Sequence, residues 1–303
     1  GSGSAVAAGS GSAAPSKAGF CIVPDGTNSL TSFTADAKAA MFCVANEVYT
    51  GDAPVVTPAC ATLDLATGAL ASGTAPAAPK PELEFKQAKD GVQACKGAAC
   101  VKLDVPGLTE HDGAVTPYAI TPNGDGTLLT VIGNDLKGVL VLDAKTGKKK
   151  HTLKVGDGDY TCTEQAEFLG DAVYVVNSVC AGPGGKGYLF RNGKQYGTVG
   201  AVNVYGSSPF QLDGDVWAFS GFGGTDLELV DVKAAKSIRK IEIPNPEECA
   251  SCDSLNGESQ MATPLAKSGT KLVAISGLGV SVIDPQTGKV EKTHRFEVCP
   301  PKK

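Results

Sequence analysis

Short apolar runs, each preceded by a polar turn that contains glycine, recur along the chain and predict β-strands. The segment TPNGDGTLLTVIG (121–133) shows this pattern most clearly, and it is repeated by FLGDAVYVVNS (168–178), QLDGDVWAFSG (211–221) and AKSGTKLVAISG (266–277). A further apolar strand follows after a short loop and ends in a second polar turn. This order of strands and turns predicts four-stranded antiparallel sheets.

The second polar turn contains Asp in a recurring element: an apolar residue, Asp, two variable residues, Thr and Gly. Clear copies start at Asp64, Asp143 and Asp284, and eroded copies at Asp104 and Asp231, so successive Asp residues are 40, 39, 88 and 53 positions apart. The Asp side chain is expected to accept hydrogen bonds from turn N–H groups, and Gly to adopt a positive φ. The gap of 88 fits two units if GYLFRNGK (187–194) supplies the missing strand and turn.

These repeats predict an all-β fold, a β-propeller of four-stranded antiparallel blades. Hairpin turns disfavour a solenoid of parallel coils, and a β-sandwich does not explain a period near 40 residues. Residues 1–18, rich in Gly, Ser and Ala, are expected to form a flexible tether, and residues 19–303 a single propeller domain. We expect six blades, with a seventh as the alternative because the first is long. They span about 20–80, 81–113, 114–157, 158–203, 204–245 and 256–300.

The stretch ITPNGDGTLLTVIGNDLKGVLVLDAKTGK (120–148) resembles the repeat of the bacterial Tyr-Val-Thr-Asn (YVTN)-type surface propellers. The matching positions are Pro122, Gly124, Val131, Asn134, Val141, Asp143, Thr146, Gly147 and Lys148. KSGTKLVAISGLGVSVIDPQTGKV (267–290) matches without the Asn, and residues 1–113 match poorly. The resemblance implies the propeller fold. It does not choose among functions, because this group includes surface-layer proteins, envelope binding proteins, and lactonase-like and quinoprotein-like enzymes.

Ten cysteines indicate disulfides and an oxidising compartment. Two pairs lie symmetrically about hairpin turns and should face each other across two strands, two are expected to be local loop bridges, and one is expected to clasp the first blade to the last. In that order the pairs are Cys43–Cys60, Cys162–Cys180, Cys95–Cys100, Cys249–Cys252 and Cys21–Cys299. Two alternatives stay open: a zinc site that uses the two loop pairs, and a redox Cys-x-x-Cys motif at 249–252.

Charge and hydropathy constrain partners and location. The net charge of −5 disfavours a nucleic-acid surface. No apolar run reaches the ~18 residues that a membrane-spanning helix needs. No signal peptide is recognisable, so we expect a mature extracytoplasmic chain that is periplasmic, on the outer-membrane surface or secreted. Its N-terminal tether would follow a cleaved or lipidated export signal.

Candidate chemistry is sparse. The histidines are His111, His151 and His294, and His111 beside Asp112 is expected to be a solvated loop residue. No nucleophile elbow, zinc-protease or phosphate-loop motif occurs, and no cofactor is expected. Structural calcium is an open alternative, because three turns offer oxygen ligands at alternate positions: 123–125, 157–159 and 213–215.

The candidate binding patch consists of four aromatic residues: Tyr205, Phe210, Trp217 and Phe222. For Trp217 alone, packing in the core or between blades is the favoured interpretation and a binding surface is the alternative. We therefore expect a non-enzymatic propeller that binds a protein or cell-surface partner. The alternatives are a metal-dependent lactonase-like hydrolase and a structural subunit of a surface filament or envelope complex.

Overall fold

The computed structural model describes eleven segments, namely residues 27–49, 54–74, 82–111, 114–134, 136–155, 162–180, 184–203, 208–220, 226–243, 264–276 and 279–297. These segments contain strands and turns and no helix. Within the described segments, no helix is therefore long and apolar enough to cross a membrane.

The first three sheets and one short hairpin come from the first half of the chain. Blade 1 comprises β1 (Thr27–Ala35), β2 (Ala39–Tyr49), β3 (Pro54–Asp64) and β4 (Leu70–Ser72). Blade 2 comprises β5 (Glu84–Ala88), β6 (Gly91–Lys96) and β7 (Ala99–Lys102), and is followed by the hairpin β8 (Glu110–His111) and β9 (Ala114–Val115). Blade 3 comprises β10 (Ala119–Pro122), β11 (Leu128–Ile132), β12 (Val139–Asp143) and β13 (Lys149–Leu153).

The second half forms three more four-stranded sheets. Blade 4 comprises β14 (Cys162–Leu169), β15 (Ala172–Ser178), β16 (Gly184–Arg191) and β17 (Lys194–Asn203). Blade 5 comprises β18 (Phe210–Asp213), β19 (Val216–Ser220), β20 (Asp226–Asp231) and β21 (Lys236–Glu242). Blade 6 comprises β22 (Leu265–Ser268), β23 (Lys271–Ser276), β24 (Gly279–Asp284) and β25 (Lys289–Arg295).

The prediction of six blades is confirmed, with strands in simple sequential order in every sheet. The first blade is long because β1, β2 and β3 have 9, 11 and 11 residues, and its described residues contain no further sheet. Strand β16 with its Asn192–Gly193 turn supplies the unit that the 88-residue gap required. Blade 2 departs from the prediction, because the residues described in it form three strands, where those of the other five blades form four.

Buried hydrophobic clusters join neighbouring blades at five seams, because successive side chains of a strand point to opposite faces of its sheet. Four of these clusters join blades 2 to 6 in sequence. The fifth joins blade 6 to blade 1, where the Phe42 and Phe296 ring centroids are 5.1 Å apart and Val273 and Ile275 are buried beside them. This fifth cluster packs the last blade against the first. Among the described residues, no buried cluster joins blade 1 to blade 2.

In blades 1, 3, 4, 5 and 6 the first strand lies nearest the axis, since β1 contacts β22, β22 contacts β18 and β10 contacts β14. In these blades antiparallel order places the first-to-second and third-to-fourth turns at one end of the propeller. We call this the turn end. The second-to-third connections and the links between blades lie at the other end, which we call the loop end.

The Asp turns lie at the turn end and have the predicted chemistry. The Asp64 carboxylate accepts hydrogen bonds from the Thr67 amide (2.7 Å) and hydroxyl (2.8 Å), and Asp143 accepts the equivalent pair from Thr146 (2.9 and 3.0 Å). These bonds hold the pKa of both carboxyls below the ordinary 3.8. The Gln286 amide does the same for the pKa of Asp284. The turns are therefore structural, as the sequence indicated.

Each of these third-to-fourth turns also rests on the preceding blade. His151 and His294, on the fourth strands of blades 3 and 6, pack beneath turn glycines of the next blade. No sequence motif indicated this role. The carbonyl of Leu65 can only accept, so Nε2 of His294 carries the proton of that hydrogen bond. The inter-blade contacts are Asp104 N to Gly147 O (2.8 Å), the His151 ring beneath Gly193, Tyr196 Oη to Val232 O (2.6 Å), Arg239 Nη1 to Thr287 O (2.7 Å) and His294 Nε2 to Leu65 O (2.9 Å).

Candidate functional site

A cleft of about 720 Å³ opens at the loop end between blades 3 and 4. Three stretches of chain line it: the β11–β12 connection, the residues after β13 and the start of β14. A cleft of this size falls in the range that holds small ligands or a partner side-chain cluster. Its lining residues are Ile132, Gly133, Asn134, Leu136, Lys137, Gly138, Lys154, Val155, Cys162, Thr163 and Glu164.

The described residues of the β11–β12 connection, 133, 134 and 136–138, form one wall. The Leu136 amide donates to the Gly133 carbonyl at 3.0 Å. The loop then returns to the sheet at Gly138, whose φ of 112° is one that side chains rarely adopt. A Cβ there would lie 2.3 Å from the Leu153 carbonyl oxygen, so only glycine allows this approach. The loop therefore holds Lys137 at the rim, where its side chain is exposed.

The opposite wall is the start of β14, where a β-bulge shifts the register between Thr163 and Gln165. A bulge re-aims the side chain of its extra residue, here Glu164, which is exposed. The Glu164 carboxylate accepts a hydrogen bond from the buried Ser178 hydroxyl at 2.6 Å, and the Cys180 amide donates to the same hydroxyl at 3.1 Å. The Cys162–Cys180 disulfide links the start of β14 to the residues that follow β15. A disulfide and two hydrogen bonds therefore stabilise this wall.

The cleft combines an apolar floor with a charged rim. Ile132, Leu136 and Val155 are buried or half-buried in the floor, and Lys137, Lys154 and Glu164 are exposed at the rim. Apolar surface supplies affinity, and a few placed charges supply orientation and specificity. The arrangement suits non-covalent recognition of a partner that presents an apolar group beside a carboxylate.

Three of the predicted disulfides are present in the structure: Cys43–Cys60, Cys95–Cys100 and Cys162–Cys180. Cys43 and Cys60 are direct register partners, as the hairpin symmetry predicted. Cys95 and Cys100 also face each other across two strands, so this pair is a cross-strand bridge rather than a loop bridge. With both sulfurs bonded, Cys95 and Cys100 have no thiolate to offer zinc. The pairs Cys249–Cys252 and Cys21–Cys299 lie outside the described residues.

The predicted facing of Cys162 and Cys180 is wrong in detail. Cys162 pairs with Ser178, because the bulge at Glu164 adds one residue to β14. Cys180 lies beyond the end of β15 with a φ of 59°, and from there it reaches Cys162 with a Cα–Cα distance of 5.0 Å. These bridges are typical of an oxidising, extracytoplasmic environment.

The candidate aromatic patch is placed only in part. Phe210 is half-buried against the cluster between blades 5 and 6, and Trp217 is half-buried against the cluster between blades 4 and 5. The two side chains thus lie on opposite faces of blade 5, and Trp217 packs between blades. Tyr205 and Phe222 lie outside the described residues, so the patch stays a prediction.

Of the residues considered for calcium binding, Asn123 and Asp125 bond to residues of their own turn. The Asp125 carboxylate accepts from the Thr127 amide (3.0 Å) and hydroxyl (2.6 Å), which stabilise a hairpin turn. Within the described segments, no group of three or more His, Cys, Asp or Glu side chains lies close enough to hold a metal ion. The turn at 157–159 falls outside these segments, and structural calcium stays a prediction.

No family model and no curated protein matches this chain. Among solved structures, it is similar to Kuenenia stuttgartiensis hydrazine synthase at 19% identity and a TM-score of 0.38, covering 59% of this chain and 48% of that one. It thus spans about half the length of that chain. The Myceliophteria thermophila Cps50 (Swd1) β-propeller domain is similar at 10% identity and a TM-score of 0.37, covering 89% and 74%. Apo AztD from Citrobacter koseri is similar at 15% identity and a TM-score of 0.41, also covering 89% and 74%.

The chain is a β-propeller, and this statement rests on its six sheets and the five buried clusters that join them. The more specific resemblance to the Tyr-Val-Thr-Asn-type repeat stays a prediction. Function must be argued from the site, since one fold carries many functions.

Proposed function

We propose that this protein is an extracytoplasmic propeller that binds a protein or cell-surface partner through the cleft between blades 3 and 4. The observation that carries the proposal is that specific local interactions hold both walls of the cleft in place. In one wall the chain rejoins the sheet at Gly138, where only glycine fits. The other wall contains a β-bulge, a disulfide and the Glu164–Ser178 hydrogen bond. Rigid walls of this kind reduce the entropy lost on binding.

The chemistry of the rim favours recognition over catalysis. Lys137, Lys154 and Glu164 are exposed. The Ser178 hydroxyl that donates to Glu164 is buried and also accepts from the Cys180 amide, so it is a structural contact of the wall. Exposed charges around an apolar floor are typical of an interface, where they steer the partner and set its orientation. The ligand class that fits is a polypeptide or glycan-bearing surface with at least one carboxylate.

Charge reversal at the rim tests the proposal. Fluorescently labelled protein would be incubated with intact cells of the producing organism, and retention would be measured by flow cytometry. The test variant is Lys137→Glu with Lys154→Glu. The matched control is Lys149→Glu with Lys236→Glu, which changes the net charge equally at exposed lysines of the outer strands.

The wild-type chain and the control variant should bind cells equally, and the cleft variant should bind at least tenfold more weakly. Equal binding by the cleft variant contradicts the proposal. A wild-type chain that is not retained by cells contradicts it too.

A further inference from the structure

A second pocket, of about 350 Å³, opens between blades 5 and 6 at the turn end, opposite the end that carries the cleft. Residues of the β18–β19, β22–β23 and β24–β25 turns surround it, and β21 completes its outer side. Its size falls in the range of small-ligand pockets. Five apolar residues contribute to its lining: Leu212, Val216, Leu229, Ile238 and Pro285.

Ile238 is the lining residue whose position the core does not explain. Its side chain is 50% exposed, although large hydrophobic residues are mostly buried in the described part of the chain. It is the extra residue of a β-bulge, which shifts the register of β21 against β20 between Leu229 and Val230. A bulge re-aims the side chain of its extra residue, and here that side chain forms part of the pocket wall.

In blades 3, 4 and 6 the fourth strand has a bulge at the same place, and each extra residue is polar and bonded to a neighbouring group. Because three blades fold with a polar side chain there, the blade architecture does not require an apolar one. An exposed isoleucine at this position, in the wall of a pocket, therefore favours contact with another molecule. The polar residues and their partners are Lys150 with Asp143 Oδ2 (3.4 Å), Tyr196 with Val232 O (2.6 Å) and Glu291 with Lys271 Nζ (2.7 Å).

Two opposite charges line the same pocket on the first strands of blades 5 and 6. The Lys267 ammonium donates to the Leu212 carbonyl at 2.8 Å, which places it beside the residue that precedes Asp213. An ammonium has three N–H groups, and Leu212 is the one acceptor of Lys267 among the described residues, so two N–H groups remain for a ligand. The Asp213 side chain is exposed and supplies a carboxylate. The pocket thus offers one cation, one anion and an apolar wall.

We propose that this pocket binds a free α-amino acid with an apolar side chain, such as leucine or phenylalanine. The ligand's carboxylate bonds to Lys267, its ammonium bonds to Asp213, and its side chain packs against Ile238. A fatty acid would leave Asp213 without a counter-charge, and an aliphatic amine would leave Lys267 without one, so a zwitterion matches both. This site is separate from the cleft and goes beyond the proposed function.

A methyl NMR titration of the full chain, labelled at Ile, Leu and Val, tests the ligand class. Leucine and phenylalanine should shift the methyl signals of Ile238 and Leu229. N-acetyl-leucine lacks the ammonium, leucinamide lacks the carboxylate and glycine lacks the side chain, so each should bind at least tenfold more weakly than leucine. The proposal is wrong if neither leucine nor phenylalanine moves these signals, or if either blocked leucine binds as well as leucine itself.

A substitution at the bulge tests the apolar wall. Ile238→Lys introduces the residue that blade 3 has at this position, and its ammonium can pair with Asp231 as Lys150 pairs with Asp143. The variant should therefore fold, and it should bind leucine at least tenfold more weakly. The matched control is Val115→Lys, which adds the same charge at another exposed apolar residue and should bind leucine as wild type does. Equal binding by Ile238→Lys and wild type would overturn the inference.

A second variant tests the charge contact, and the cleft variant separates the two proposals. Lys267→Met should weaken leucine at least fivefold and leave leucinamide unchanged, because leucinamide has no carboxylate to bind. An equal loss for both ligands would contradict the assigned contact. The cleft variant, Lys137→Glu with Lys154→Glu, should bind leucine as wild type does, and Ile238→Lys should be retained by cells, so the two proposals fail independently.

Discussion

Ala235 and Gly197 lie against each other at the seam between blades 4 and 5, and a Cβ on Gly197 would come within 2.2 Å of the Ala235 Cβ. Ala235 occupies the position that glycine takes in the clear copies of the Asp turn, and it adopts a φ of 51° there. At the seams on either side, a turn glycine lies over a large side chain, His151 or Arg239. At this seam the glycine, Gly197, is on the outer strand, and the turn carries the larger residue, Ala235. The positions of the glycine and the larger residue are therefore exchanged relative to the neighbouring seams.

Gly197→Ala should lower the free energy of unfolding by about 1–3 kcal/mol, the usual cost of overpacking. Ala235→Gly alone should stay within about 1 kcal/mol of wild type, because relief of the positive φ offsets the entropy of the new glycine. The double variant should recover more than half of the loss from Gly197→Ala. Urea unfolding of the four proteins measures the coupling, and strictly additive effects would show that the two residues do not touch.

Gly68→Ala should destabilise the protein more than Gly126→Ala. Both glycines have positive φ, 80° and 69°, so the backbone cost is similar. A Cβ at Gly68 would lie 2.5 Å from Nδ1 of His294, whereas a Cβ at Gly126 meets nothing within 4 Å. Thermal unfolding should therefore give a clearly lower Tm for Gly68→Ala. Equal Tm values would mean that His294 does not pack beneath the blade 1 turn.

Acid should weaken the ring through its Asp turns. The pKa values of Asp64, Asp143 and Asp284 lie below 3.8 in the folded chain, so the folded state is the weaker proton binder. Their contribution is complete above the unfolded pKa and is lost as the pH falls through the folded pKa, below 3.8. Combined Asp64→Asn, Asp143→Asn and Asp284→Asn should lower stability at pH 7 and flatten its fall between about pH 4 and 2. Parallel curves for the variant and wild type in urea titrations would contradict this origin.

The disulfides should contribute according to the length of chain that they close. The Cys43–Cys60 bridge joins residues 17 apart, and Cys95–Cys100 joins residues 5 apart. The chain-entropy relation gives about 3 kcal/mol for the first and about 2 kcal/mol for the second. Paired Cys→Ala variants are matched, because each removes one buried and one less buried sulfur. Urea unfolding that ranks the second bridge above the first would contradict this order.

The sequence predicted blade number well because its strongest signals are local. An Asp turn is stabilised by the Asp and by residues two to four positions later, so each copy can be read without knowledge of the fold. The three-stranded blade 2 could not be predicted in this way. The path of residues 104–108 depends on a contact that is distant in sequence, the hydrogen bond from the Asp104 amide to the Gly147 carbonyl of the blade 3 turn. Beyond this contact the chain runs back to Ala88 and does not add a strand.

The candidate site could not be predicted from the sequence, because it also depends on contacts between separate stretches of the chain. The cleft is lined by two connections, β11–β12 and the two flanks of β13–β14, and none of Lys137, Lys154 or Glu164 belongs to a motif. Counting positions also missed the bulge that re-aims Glu164 and displaces Cys180 from its expected place opposite Cys162. The aromatic candidates show the same limit, since Phe210 and Trp217 are close in sequence but lie on opposite faces of blade 5.

The packing of blade 6 against blade 1 is the central claim, because it places the last blade of the chain beside the first. The most direct measurement is a set of NOEs in a perdeuterated chain with protonated Phe rings and Ile methyl groups. We predict NOEs from the Phe42 ring to the Phe296 ring and to the Ile275 methyl groups, across the seam described here. A folded chain that lacks these NOEs while showing those within blades 1 and 6 would be an open arc and would contradict the claim.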